Sequence, residues 1–296
     1  LAQGSRRTMQ QALNSMASLL TSGRIIDALV LDWSQLRYPH TAALRSFLAE
    51  KYSAATVNKM LSALRGVLKA AWRLGLISAE DRERACDVAA VTGERLPRGR
   101  SLAPGEIRAL IQDCGQDAST ERILGVRDAA LMALLYGCGL RRAELVTLDT
   151  KDMQNVGGEI SLVVRGKRNK ERLVPVAGGA ADALADWLIL RGTGDGALFT
   201  PYRKGGKRED RRMTTQAIYH ICKDREKRSG VAPFSPHDFR RTFVGDLLDH
   251  GADIVTVQKL AGHANVTTTA RYDRRGERAK RKAAELLHVP YTPTRR

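Results

Sequence analysis

The sequence lacks the usual marks of a membrane or secreted protein. No apolar run reaches the roughly 18 residues that a helix needs to span a bilayer, and no secretory signal precedes the first helical pattern. Cysteine is scarce. Cys86, Cys114, Cys138 and Cys222 stand far apart with no CxxC pair, which argues against a zinc site and a disulfide framework and fits a reducing cytoplasm. Walker, HExxH and GxSxG patterns are missing too, as is any acidic cluster suited to two Mg²⁺ ions. No metal or other cofactor is therefore expected. Chemistry on a phosphodiester would have to rest on side-chain cations and hydrogen-bond donors. The chain starts at Leu1, and further native residues are expected ahead of it.

Positive charge is abundant. The 296 residues carry a formal net charge of +17, which favours an anionic partner. The excess is concentrated. Segments Arg165–Arg172, Arg203–Arg212 and Arg271–Lys282 hold net charges of +4, +4 and +5, or 13 of the 17. Such clustering suits a phosphate backbone better than an evenly solvated surface does.

Residues 1–91 read as helical throughout. Ser53 can cap a helix to about Leu74, with Val57, Met60, Leu61, Leu64, Val67, Leu68 and Ala71 as its apolar stripe. On its other side Asn58, Ser62, Arg65, Lys69 and Arg73 form a donor stripe, either a solvated face or one laid against DNA. Periodicity stops at residues 92–103, where Arg95, Arg98 and Arg100 make a basic linker. The third region, 104–296, opens with helices predicted near Pro104–Asp113 and Val126–Tyr136. The β-branched runs Glu159–Val164 and Arg172–Val176 predict a hairpin. Helices are then predicted over about Ala180–Leu190, Thr215–Arg228, Pro236–His250 and Asp253–Ala261, with Ser235-Pro236-His237-Asp238 as a strong start.

Several segments supply the chemistry: Arg141 and Glu144 in GLRRAEL, Lys167 in GKRNKERLVP, His237 and Arg240 at i and i+3 in SPHDFRRTF, His263 in AGH, and Tyr272 in ARY. In order and spacing these motifs resemble the tyrosine recombinase and phage integrase family, close to its Xer branch. The resemblance covers about residues 101–280. It implies a mainly α fold with a small antiparallel β-sheet, arranged as a two-domain C-shaped clamp of helical core-binding domain and catalytic domain. It also implies Tyr272 as nucleophile, Arg141, Arg240 and His263 around the phosphate, Lys167 as general acid and His237 as proton acceptor. Lys170 competes with Lys167 in the same turn. Glu144 would fix Arg141 or His237. Arg142, Arg168, Lys170 and Arg241 are candidate DNA contacts. Phe239, Arg241 and Ala261 depart from residues common in the family, and none removes a catalytic group.

By the same resemblance the partner is double-stranded DNA with a specific site. Four protomers would hold two duplexes and exchange strands through a Holliday junction, with a partner recombinase or DNA-bending factor as a further possibility. A tail helix over Arg278–Leu287 would dock on a neighbouring protomer or pack on its own domain. The expected role is integration or excision of a mobile element in a bacterial cytoplasm, near the nucleoid. Xer-type dimer resolution is the alternative. A type IB topoisomerase and a non-catalytic DNA-binding regulator are more distant rivals, and no arm-type domain is expected.

Overall fold

The computed structural model describes residues 3–93, 99–117, 122–166, 170–192, 194–203, 206–273 and 284. The chain divides into two compact units, Leu1–Pro97 and Arg98–Arg296.

The first unit is helical: α1 (Gln3–Leu20), α2 (Tyr38–Lys51), α3 (Ala54–Arg73) and α4 (Ala79–Cys86). Ser53 is the N-cap residue of α3, and the stripe of Val57, Met60, Leu61, Leu64, Leu68 and Ala71 is buried in the unit's core. The donor stripe on the opposite side is split. Ser62, Lys69 and Arg73 are exposed. Asn58 instead donates to the Val91 carbonyl at 2.9 Å and accepts from the Val91 N–H at 2.8 Å. Arg65 donates to the Val88 carbonyl at 2.6 Å. An extended segment without ladder partners needs such bonds for its backbone, and α3 provides them. Two of the five side chains expected to face DNA are thereby committed within their own unit.

The second unit holds α5 (Pro104–Gly115), α6 (Arg122–Gly137), α7 (Arg142–Leu145), β1 (Met153–Val156), β2 (Glu159–Arg165), β3 (Glu171–Pro175), α8 (Gly179–Arg191), α9 (Thr215–Ser229), α10 (Pro236–Asp249), α11 (Ile254–Ala261) and α12 (Val266–Ala270). The strands form an antiparallel sheet in the order β1-β2-β3, with Leu162 opposite Val174 and Arg165 opposite Glu171. This is the expected fold class, mainly helical with one small antiparallel sheet. The hairpin was legible, but β1 was not. Its residues are largely exposed, so they carry no alternation. The readable signal was Gly157-Gly158, whose φ values of 63° and 91° make the two-residue turn that pairs β1 with β2.

Two apolar clusters support the unit. The larger one packs α6 (Leu131, Leu134, Leu135) with Leu184 and Trp187 of α8 and Leu162 and Val164 of β2. The smaller joins Phe243, Val244 and Leu248 of α10 to Val257 and Ala261 of α11, with the Tyr272 ring packed against it. The predicted start of α10 is realised. Asp238 Oδ2 accepts from the Ser235 N–H at 2.8 Å and from its hydroxyl at 3.0 Å.

A second polar feature lies where α9 meets α5 and α6. Arg225 is 3% exposed and bonds Asp113 at 3.0 Å, Asp117 at 2.6 Å and Asp128 at 2.8 Å. Arg127 pairs with Asp128 at 2.8 Å, and Arg228 with Asp117 at 2.5 Å. Burial would raise the Asp117 carboxyl, but Arg225 and Arg228 hold it below the usual carboxylate range. Three arginines face three aspartates.

Candidate active site

The turn between α6 and α7 positions the first cation. Gly139 has φ 57°, and a Cβ there would lie 2.3 Å from the Phe243 ring, so only glycine permits the close approach. Arg141 follows, at the N-cap of α7. Its guanidinium donates to Glu144 Oε1 at 2.6 Å and to the Gly262 carbonyl at 3.2 Å, and its N–H donates to Glu144 Oε2 at 2.9 Å. Glu144 also receives Arg172 of β3 at 3.1 and 2.9 Å. Burial would raise the Glu144 carboxyl, yet the bonds from Arg172 and Arg141 hold it below the ordinary range. Of the two partners expected for Glu144, Arg141 and His237, it is Arg141 that the hydrogen bonds reach.

Arg240 sits on the inner face of α10 and is 1% exposed. Its guanidinium donates to the Gly139 carbonyl at 2.6 Å and to the Ala261 carbonyl. Burial, then the nearby charge of Arg141, pushes its pKa down to about 9, which leaves it charged at neutral pH. The helix that carries Arg240 also carries His237, one turn earlier at the rim.

The third segment runs from α11 into α12. Gly262 ends α11 in the left-handed conformation, and His263 follows, 9% exposed. The imidazole Nδ1 lies 2.9 Å from the Thr269 hydroxyl. Burial first, then the charges of Arg240 and Arg141, push its pKa down to about 4. The Tyr272 ring stacks on the His263 ring at 5.9 Å and 19°, and the Arg241 guanidinium lies 5.1 Å from the Tyr272 centroid. His237 Nε2 is 3.4 Å from the Tyr272 hydroxyl. His237 keeps contact with water, so the lowering of its pKa by burial and by Arg240 and Arg241 is moderated by screening.

Five of the six expected catalytic residues thus converge: Arg141, His237, Arg240, His263 and Tyr272. The sixth, Lys167, lies outside the described residues, as do Arg95, Arg98 and Arg168 and, Ala284 apart, the tail beyond 273. The expected DNA contacts are scattered. Lys170 is exposed, and Arg142 lies 5.9 Å from the Tyr219 ring centroid. Arg100 is turned inward, forked on Glu106 at 2.6 and 2.7 Å and bonded to the Pro233 carbonyl at 3.0 Å. Much of the charge counted as a footprint is paired as well. Arg165 bonds Asp152 and Glu171, Arg203 and Arg211 share Glu209, and Arg212 bonds Asp149. Arg172 belongs to that footprint and opens the predicted second strand of the hairpin, but its side chain is 13% exposed and bonds Glu144. Its place opposite the buried Val164 on β2 comes from the strand register, which the sequence alone did not give.

Known proteins resemble this chain in sequence and in fold. Residues 100–278 match the phage integrase family. The tyrosine recombinase XerD of Mycobacterium tuberculosis is 36% identical over 228 residues, 74% of this chain and 70% of its own length. The tyrosine recombinase XerC of Erythrobacter litoralis is 34% identical over 263 residues, 88% of this chain and 81% of its own. In fold, the XerH site-specific recombinase crystallised on its difH substrate aligns with a TM-score of 0.67 at 19% identity, covering 96% of this chain and 79% of that one. A lambda integrase dimer bound to a core site gives 0.64 at 16% identity, covering 100% and 94%. The chain belongs to the phage integrase family, the tyrosine recombinases, enzymes of site-specific recombination that cleave and rejoin DNA through a phosphotyrosine intermediate.

Proposed function

We propose that Tyr272 is the nucleophile of this recombinase and that Arg141, Arg240 and His263 bind the scissile phosphate. The observation that carries this reading is the position of the Tyr272 hydroxyl, 3.4 Å from His237 Nε2, on a ring stacked against His263. A 3.4 Å contact is long for proton transfer, but such contacts commonly tighten once the substrate is bound. Attack by the phenol places extra negative charge on the non-bridging oxygens of a five-coordinate phosphorus. Guanidinium groups neutralise that charge and remain protonated while doing so. With its depressed pKa, His263 is neutral. When the Thr269 hydroxyl donates to Nδ1, the ring proton sits on Nε2 and can be offered to a phosphate oxygen. His237 takes the phenol proton, and Lys167 protonates the departing 5′ oxygen. The phosphodiester's energy is kept in the tyrosyl bond, so rejoining needs no nucleotide and no metal.

The substrate is duplex DNA with a specific site. It is held through the phosphate backbone by exposed cations such as Lys69, Arg73 and Lys170 and by the basic segments around Arg98 and Arg168. We place four protomers on two duplexes, with the tail beyond Tyr272 contacting a neighbouring protomer, in the cytoplasm of a bacterium near its nucleoid. The role is integration or excision of a mobile element. A second reading, Xer-type dimer resolution, is favoured by relatives named XerC and XerD at 32–39% identity. Recombination between two copies of one chromosomal site supports the Xer reading, and joining of two unlike sites supports integration.

Covalent trapping tests the chemistry whatever the recognition sequence is. The full chain is mixed with nicked duplexes from a random-sequence pool, and denaturation-resistant adducts are recovered and sequenced. The expected result is an adduct lost in Tyr272→Phe while DNA binding persists. An adduct that forms undiminished in that variant removes Tyr272 from its role.

A further inference from the structure

We infer that Arg172 is a positioning residue for cleavage, aligning Arg141 through Glu144 and setting the end of α11 that carries His263. The inference rests on the reading of Arg141 and His263 as phosphate-binding groups. Three segments distant in sequence meet at this one guanidinium. Its fork spans the Glu144 carboxylate at 3.1 and 2.9 Å, and its Nε donates to the Leu260 carbonyl at 2.9 Å. Each of its three nitrogens is already bonded within the protein, to Glu144 or to the Leu260 carbonyl.

The carboxylate it holds is fully occupied. Oε1 accepts from Arg141 Nη1 and Arg172 Nη1, and Oε2 from the Arg141 N–H and Arg172 Nη2. A carboxylate has about four acceptor sites, and here two arginines fill all four. Removing Arg172 empties two of them, so the plane of the carboxylate, and the Arg141 guanidinium set against it, is no longer fixed. The other arm of Arg172 acts on α11. A Cβ on Gly262 would fall 2.9 Å from Arg172 Nη1 and 3.0 Å from its Cδ and Cζ, so β3 and the Gly262 turn are in close contact. The Gly262 carbonyl is the second acceptor for Arg141. Arg172 therefore touches both anchors of Arg141 and the residue before His263, and it touches no reacting atom.

The simpler account is that Arg172 only neutralises a buried acid, and the two accounts predict different kinetics. The test uses the full chain and a nicked duplex recovered by the trapping experiment above. Adduct formation at saturating DNA, DNA affinity and the unfolding midpoint are each measured. Arg172→Met is expected to slow adduct formation by roughly 10²-fold, the scale of a misplaced catalytic group, with affinity unchanged. Arg172→Lys keeps the charge but not the fork, so it is expected to fold like wild type and still cleave slowly. In a Glu144→Gln background, Arg172→Met is expected to slow adduct formation less than it does in the wild type but still measurably, because only the arm through Glu144 is shared. Wild-type cleavage in Arg172→Lys overturns the inference, since charge alone then suffices. If Arg172→Met does not fold, the lysine variant decides. Tyr272→Phe on the same DNA reports on the nucleophile separately, so its result does not depend on Arg172.

Discussion

Among the described residues of the second unit, two groups of arginines around buried guanidiniums are built differently, while the buried Arg191 stands apart on the carbonyls of Gly192, Gly194 and Ala197. Around Arg225, three guanidinium groups meet three carboxylates, and every charge has an opposite within 3.3 Å. Around Tyr272, Arg141 and Arg172 share one carboxylate, Glu144, and Arg240 is held by backbone carbonyls. Carbonyl dipoles orient a guanidinium without cancelling its charge. The first cluster is closed and serves to hold α9 on α5 and α6. Among the described residues the second holds more cations than carboxylates, and in the proposed function a phosphate supplies the missing anion. An uncompensated buried cation costs stability, and proteins commonly accept that cost at functional sites.

The strongest way to break this comparison is to remove one arginine from each place. Arg240→Met is expected to lower adduct formation on the order of 10³-fold, as loss of a transition-state arginine does. Its effect on stability is the sum of opposed terms. Losing the hydrogen bonds to Gly139 and Ala261 costs about 1–3 kcal/mol each, and removing a buried unpaired cation returns several kcal/mol. The urea midpoint should therefore move little. A large drop would mean that Arg240 is structural. Arg225→Met is expected to do the reverse. It leaves the carboxylates of Asp113, Asp117 and Asp128 to Arg127 and Arg228 alone and costs about 3–5 kcal/mol, while the folded fraction cleaves at the wild-type rate.

A smaller effect separates the two regions by pH. His263, pushed to about 4 from 6.5, and His237, lowered in the same direction, bind protons more weakly folded than unfolded. As pH falls from 6.5 towards 4, the unfolded chain takes up protons that the folded chain refuses, so stability is lost across that window and intact above it. The Arg225 cluster acts lower. Asp117 is held below its ordinary 3.8, so its contribution fades only beneath that value, and that of Glu144 only beneath 4.5. Unfolding midpoints measured against pH should show a shallower slope between 4 and 6.5 in His263→Gln. An unchanged slope would mean that the site histidines are not the groups titrating there.

The segments with local causes were readable. Ser53 and Ser235 stand at the N-cap positions read for them, and Asp253 caps α11 through the Val255 and Thr256 N–H groups, because helix starts are decided within one turn. The hairpin followed from β-branched alternation. The partners of the charged side chains were not readable. Asn58 and Arg65 looked like a solvent or DNA face until residues 88–91 were found bonded to them. Arg100 looked like part of a basic linker, yet its partners lie as far along as residue 233. Both cases have the same origin. A polar stripe shows that a face is not core, but it does not show what covers it.

By itself, then, the sequence settled the helical layout, the hairpin and the family, because periodicity, caps and spaced motifs are local properties. Only the tertiary structure decided which cations are spare and which are matched. Arg172, Arg225 and Arg240 are the same residue type, and they differ in what folding brings beside them. Electrostatic energy depends on distance and burial, and neither is written in the order of residues along the chain.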